Sequence, residues 1–140
     1  MECVADTTLL IDLWRAQRRP EIARAITEKL GDPTLRMSWM AEAEFLRGSI
    51  YKNVAAEGTA RFLARFLPLP ILHGHARRVA ETASDLQKRG LQIDIPDLWI
   101  AAAALDANLP VATRNTKHYG SIAGLTVLDY AVPSGGQAPA

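Results

Sequence analysis

The chain has 140 residues, 49% hydrophobic and 22% charged, a length that suits one domain with a buried core and is short for two. Sixteen Lys and Arg against fifteen Asp and Glu leave a net charge of +1, which excludes a polycation that coats nucleic acid and an acidic disordered chain. The single cysteine, Cys3, excludes an internal disulfide and the paired thiolates of a structural zinc site, and it suits a reducing compartment.

The opening MECVADTTLLIDLW carries Asp6 and Asp12 among its apolar residues and no basic stretch ahead of them, unlike a secretory signal. The longest apolar run, residues 98–105, is eight residues long, where a membrane-spanning helix needs about twenty. A soluble, cytoplasmic protein is expected, with no membrane contact.

In chain order, residues 3–5 read as a short buried strand and 8–17 as a helix. Pro20 suits a first helical position and Gly31 a helix end, so 20–30 form a second helix. A second strand is predicted at 34–37, then a helix capped by Ser38 that runs through Glu44 to about residue 51. Apolar spacing predicts helices over 54–67 and 74–89, with a strand at 69–72 between them. Pro96 opens a nearly all-apolar helix, DLWIAAAALDAN. A strand at 110–113, a polar loop at 114–117 and an edge strand at 126–130 complete the reading. Short apolar strands alternating with helices predict an α/β layer structure with a mainly parallel sheet over residues 1–132, followed by a flexible tail at 133–140.

Charge is uneven. Residues 61–90 hold six basic side chains and two acidic ones, so the rest of the chain is net negative. The basic stretch fits an RNA backbone or a solvated helix face. His73 and His75 flank Gly74 and read as polar loop residues. Trp14, Trp39 and Trp99 stand among aliphatic residues and read as core or interface.

Three acids hold special positions. Asp6 follows the first strand, at the end where ligand crevices of open α/β sheets lie, although a helix-capping aspartate would stand there too. Glu44 shares its helix with Met40, Ala41 and Phe45. Asp97 is in the first turn after Pro96, where the helix dipole favours a carboxylate. Convergence of the three on one crevice would be repulsive without a cation. Oxygen-only donors favour Mg2+ or Mn2+. That chemistry supports phosphodiester hydrolysis by activated water. Motifs for nucleotide cofactors, zinc peptidases and serine hydrolases are absent from the sequence.

The segments VADTTLLIDL, AEAEFLRG, IPDLWIAAAAL and VATRNTKHYGSIAGLTVLDY resemble, in order and over roughly residues 2–131, a PIN domain of the VapC toxin type. The resemblance implies a three-layer α/β/α fold and a Mg2+- or Mn2+-dependent endoribonuclease. It further implies the toxin of a type II toxin–antitoxin module: a homodimer held inactive by a small VapB-like antitoxin, touching operator DNA through that partner. The family's acids map onto Asp6, Glu44 and Asp97 as metal ligands. Its fourth acidic position is Asn115 here, a neutral carbonyl oxygen that leaves one ion or two open, with Asp94 as a possible substitute. Thr113, Arg114, Lys117 and His118 are candidates to contact the substrate phosphate. Leu10, Leu13 and Trp14 are candidate exposed residues of an antitoxin groove.

Two rival readings remain at this point. An aspartyl phosphatase would call for D-x-D, but Thr8 is the second residue after Asp6. A non-catalytic regulatory subunit that binds operator DNA with its antitoxin would fit decay of the pocket at Asn115.

Overall fold

A computed structural model describes residues 1–130, so the expected tail at 133–140 lies outside the described residues. The order is β1 (Glu2–Ala5), α1 (Thr7–Ala16), α2 (Pro20–Leu30), β2 (Thr34–Met37), α3 (Trp39–Tyr51), α4 (Ala56–Leu63), β3 (Leu67–Pro68), α5 (His75–Lys88), α6 (Ile95–Ala107), β4 (Val111–Thr113), α7 (Thr116–Tyr119) and β5 (Val127–Asp129). The five strands form one sheet in the order β3-β2-β1-β4-β5, every pair parallel, within a three-layer α/β/α fold.

Local chemistry explains the borders. Ser38 accepts the backbone N–H of Ala41 and caps α3, Pro20 starts α2, and Gly31 ends it at φ 72°. Cys3, Val4 and Ala5 of the central strand are fully buried, as a strand covered by helices on both faces requires. Helix α6 buries Leu98 and Ile100–Ala104, which accounts for its apolar character on all sides.

The chain runs outward from β1 to β2 and β3, then returns to place β4 on the other side of β1. The strand order therefore reverses between β1 and β4, where the carboxyl ends of two parallel strands leave a crevice. Asp6 follows β1 and Thr113 ends β4; Ala5 pairs with Ala112, and the Asp6 N–H donates to the Ala112 carbonyl at 3.1 Å.

Four expectations are corrected. Residues 69–72 form no strand: β3 lies at Leu67–Pro68, the Leu69 N–H makes one more bond to the Met37 carbonyl, and β2 ends there as Ser38 caps α3, so nothing lies alongside for the chain to pair with further. The loop at 114–117 gives way at Thr116 to the short helix α7, closed at Gly120, where a Cβ would come 2.9 Å from the Thr116 carbonyl oxygen. Leu10 is not exposed but fully buried, and Leu13 and Trp14 pack against the core, Trp14 edge-on to Phe45 and Phe62. His75 is not a loop residue: it opens α5, is buried, and contacts Asp106 of α6 at 3.3 Å. Trp39 and Trp99 form a tilted pair, with Trp39 38% exposed.

Candidate active site

Asp6 occupies the N-cap position of α1, yet its side chain makes no capping hydrogen bond. The carboxylate is buried and turned into the crevice, where Oδ2 accepts from the hydroxyls of Thr113 (2.7 Å) and Thr8 (3.0 Å) and Oδ1 from Tyr119 (2.8 Å). Three neutral donors hold one charge in place.

Asp97 reaches the same point from the first turn of α6, behind Pro96. Its Oδ1 stands 3.3 Å from the Tyr119 hydroxyl and its Oδ2 3.2 Å from His118 Nδ1. The aspartates, far apart in the sequence, thus place one oxygen each on a single phenol oxygen. Burial first, and the charge of Asp6 second, push the Asp97 carboxyl above its usual range, against the hydrogen bonds from His118 and Tyr119. Burial and the same two aspartates push the Tyr119 phenol far above its ordinary value, so it keeps its proton.

Glu44, on α3, joins through a neighbour. Thr7, the residue after Asp6, donates its hydroxyl to Glu44 Oε1 at 2.6 Å, tying α1 to α3. Among the described residues, no three His, Cys, Asp or Glu side chains are gathered as a metal-holding group. The geometry is a pair of aspartates with Glu44 linked to it by Thr7. That donor set fits Mg2+ or Mn2+, which commonly take one or two carboxylates and complete their shell with water and substrate phosphate. Two partly desolvated carboxylates around one proton donor also leave a deficit of positive charge.

The remaining candidates divide. Thr113 is fully buried, donates to Asp6, and accepts the Asn115 N–H at 2.8 Å, so it shapes the turn from within. His118 is half exposed at the mouth beside Asp97. Asn115 and Lys117 are exposed on the same turn. Arg114 turns the other way: its Nε lies 2.8 Å from Asp12 Oδ2 and its Nη2 3.4 Å from Oδ1. Asp94 caps α6 by position alone, with no side-chain capping bond.

Sequence reasoning missed five contributors: Tyr119, Asp12, Tyr130, Thr7 and Thr8. Asp12 is a buried acid in α1 that accepts from Arg114 and from the Tyr130 hydroxyl (2.8 Å), with Arg15 as a more distant ion-pair partner at 3.7 Å. Tyr130 also contacts Thr8 Oγ1 at 3.3 Å, which links this network to Asp6. The available signal was an acid inside the apolar run TTLLIDLW.

The PIN domain family model matches residues 3–123, nearly the whole of the described fold. The chain belongs to the PIN domain family. This PIN domain is 30% identical to ribonuclease VapC1 of Methanocaldococcus jannaschii over 128 residues, 90% of this chain and 86% of that protein. It is 27% identical to ribonuclease VapC1 of Haemophilus influenzae over 129 residues, 89% of this chain and 95% of the relative. Among solved structures, VapBC-1 from nontypeable Haemophilus influenzae superposes with a TM-score of 0.74 at 28% identity, covering 93% of this chain and 98% of that one. The Rickettsia felis VapBC2 complex bound to a promoter DNA fragment superposes with a TM-score of 0.76 at 20% identity, covering 94% and 100%, and supports the PIN fold.

Proposed function

We propose that the chain is an endoribonuclease of the VapC type, dependent on Mg2+ or Mn2+ and restrained by a small antitoxin. The observation that carries this reading is the meeting of Asp6 and Asp97 on one hydroxyl at the switch point of a parallel sheet. Similarity to two proteins named ribonuclease VapC1 supports RNA as the substrate class.

Asp6 and Asp97 would hold the cation, with Glu44 as a further oxygen donor on the α3 side. When bound, a divalent ion acidifies water and offsets the negative charge of the phosphodiester. Thr113 and Thr8 keep Asp6 oriented by donating to Oδ2, the oxygen that Tyr119 does not contact. Asp97 is fixed by His118, whose half-exposed ring is open to a phosphate from the solvent side. Lys117 and Asn115, exposed on the same turn, are placed to meet phosphate and sugar. Arg114 is engaged with Asp12, which favours a positioning role for it over phosphate contact.

The solved VapBC-1 structure supports a small antitoxin as protein partner; a homodimer and operator contact through that partner belong to the proposal. A cavity of about 800 Å3 beside the C-terminal end of α1, lined by Trp14, Arg15, Arg18, Arg61, Phe62 and Arg65, is the surface we assign to it. The test is incubation of the purified protein with structured RNA and Mn2+, with and without EDTA. Chelator-sensitive internal cutting is expected. No cutting at any ion concentration, with operator binding by the partner complex, would favour a regulatory subunit instead.

A further inference from the structure

Tyr119 is fully buried, and its hydroxyl touches one oxygen of each aspartate, at 2.8 Å and 3.3 Å. A phenol carries one proton, so it donates fully to one carboxylate at a time; the shorter contact assigns that proton to Asp6. The position is fixed from behind: α7 is one tight turn, Gly120 closes it against the Thr116 carbonyl, and the Tyr119 ring belongs to the core. The other oxygens of the pair have other partners, Thr113 and Thr8 on Asp6 Oδ2 and His118 on Asp97 Oδ2. The gap between the two Oδ1 atoms belongs to Tyr119.

We propose that Tyr119 is a built-in placeholder: its hydroxyl occupies the space between Asp6 and Asp97, holds the pair together without a cation, and must yield a hydrogen bond when one binds. The proposal rests on the reading of these two aspartates as the cation site. Tyr119 is thereby a positioning residue that sets the site's affinity. It stabilises the empty pair and weakens ion binding by the same interaction.

The test is Tyr119→Phe, which keeps the ring and removes the hydroxyl. Mn2+ affinity is read by calorimetry and cation-free stability by thermal melting in EDTA. The expected result is an Mn2+ Kd tightened about tenfold, the effect of releasing one hydrogen bond to a charged group, together with a lower melting temperature in EDTA. Thr113→Val, which removes a donor to Asp6 Oδ2, is expected not to tighten the ion. Wild-type protein labelled at tyrosine Cζ supplies an independent readout: Mg2+ should move the Tyr119 resonance and leave that of Tyr130 in place. Measurable Mn2+ binding by wild type, with an unchanged or weakened Kd in Tyr119→Phe or a Tyr119 signal indifferent to Mg2+, would overturn the placeholder and spare the cation site. Failure of both proteins to bind Mn2+ would overturn both readings.

Discussion

Thr113, the last residue of β4, donates its hydroxyl to Asp6, the residue after β1, at 2.7 Å. The same oxygen accepts the Asn115 N–H, so one buried hydroxyl aligns an aspartate and starts the turn that carries Asn115, Lys117 and His118. Thr113→Val keeps the shape, removes one of the three donors to Asp6 and takes the acceptor from the Asn115 N–H. It should cost about 1–3 kcal/mol in urea unfolding and lower cleavage by more than that stability loss explains. A variant as active as wild type would separate Thr113 from the site.

Asp12 and Arg114 form a second centre, distinct from the first in what it does. A buried carboxylate with Arg114 and Tyr130 on one oxygen is costly to strip of its counter-charge. Arg114→Ala, which leaves the buried Asp12 with only the more distant Arg15, should cost about 3 kcal/mol; Asp12→Ala, which frees a guanidinium already partly exposed, should cost less, and the double variant should cost less than their sum. If Arg114 instead serves the phosphate, Arg114→Ala would raise KM and leave the unfolding curve unchanged.

The raised pKa of Asp97 gives a signed prediction. Its carboxyl binds its proton more tightly in the folded chain than in the unfolded one, so folding stability falls as pH rises from the ordinary carboxylate range through the folded value. Above that window the ionised form is a liability when no cation is present. Asp97→Asn should melt higher than wild type in EDTA near neutral pH, with the difference vanishing at low pH, while losing cleavage. An Asn variant that melts lower at every pH would contradict the assigned cause. Ion binding by wild type should weaken over the same window as pH falls, because the proton competes for Asp97.

Cys3 lies in the central strand, fully buried, and burial pushes its thiol up to about 11. It should resist iodoacetamide at pH 8 in the folded protein and react on unfolding, as mass spectrometry with and without urea would read. Rapid labelling of native protein would mean that β1 opens.

Much of this was legible in the sequence. Short apolar strands fixed the α/β class, Pro20, Ser38 and Pro96 marked helix starts, and Asp6 and Asp97 stood at predicted element ends. The failures have physical causes. Leu10 is buried in the core, and one turn of an amphipathic helix read alone does not say which of its faces the rest of the fold covers. Strand 69–72 was misplaced because pairing with β2 selects the register, through Arg36 with Leu67, against stronger local propensity further on. Asp12, Tyr119 and Tyr130 went unread because their partners are remote in sequence. Their meaning exists only once β4 lies beside β1.

The most direct measurement compares wild type with Asp6→Asn, using RNA cleavage and Mn2+ calorimetry on the same preparations. Asparagine keeps the size and part of the hydrogen bonding and removes the charge. The account predicts a folded variant that neither cuts RNA nor binds Mn2+ at concentrations that saturate wild type. Undiminished, EDTA-sensitive cleavage by Asp6→Asn would contradict it.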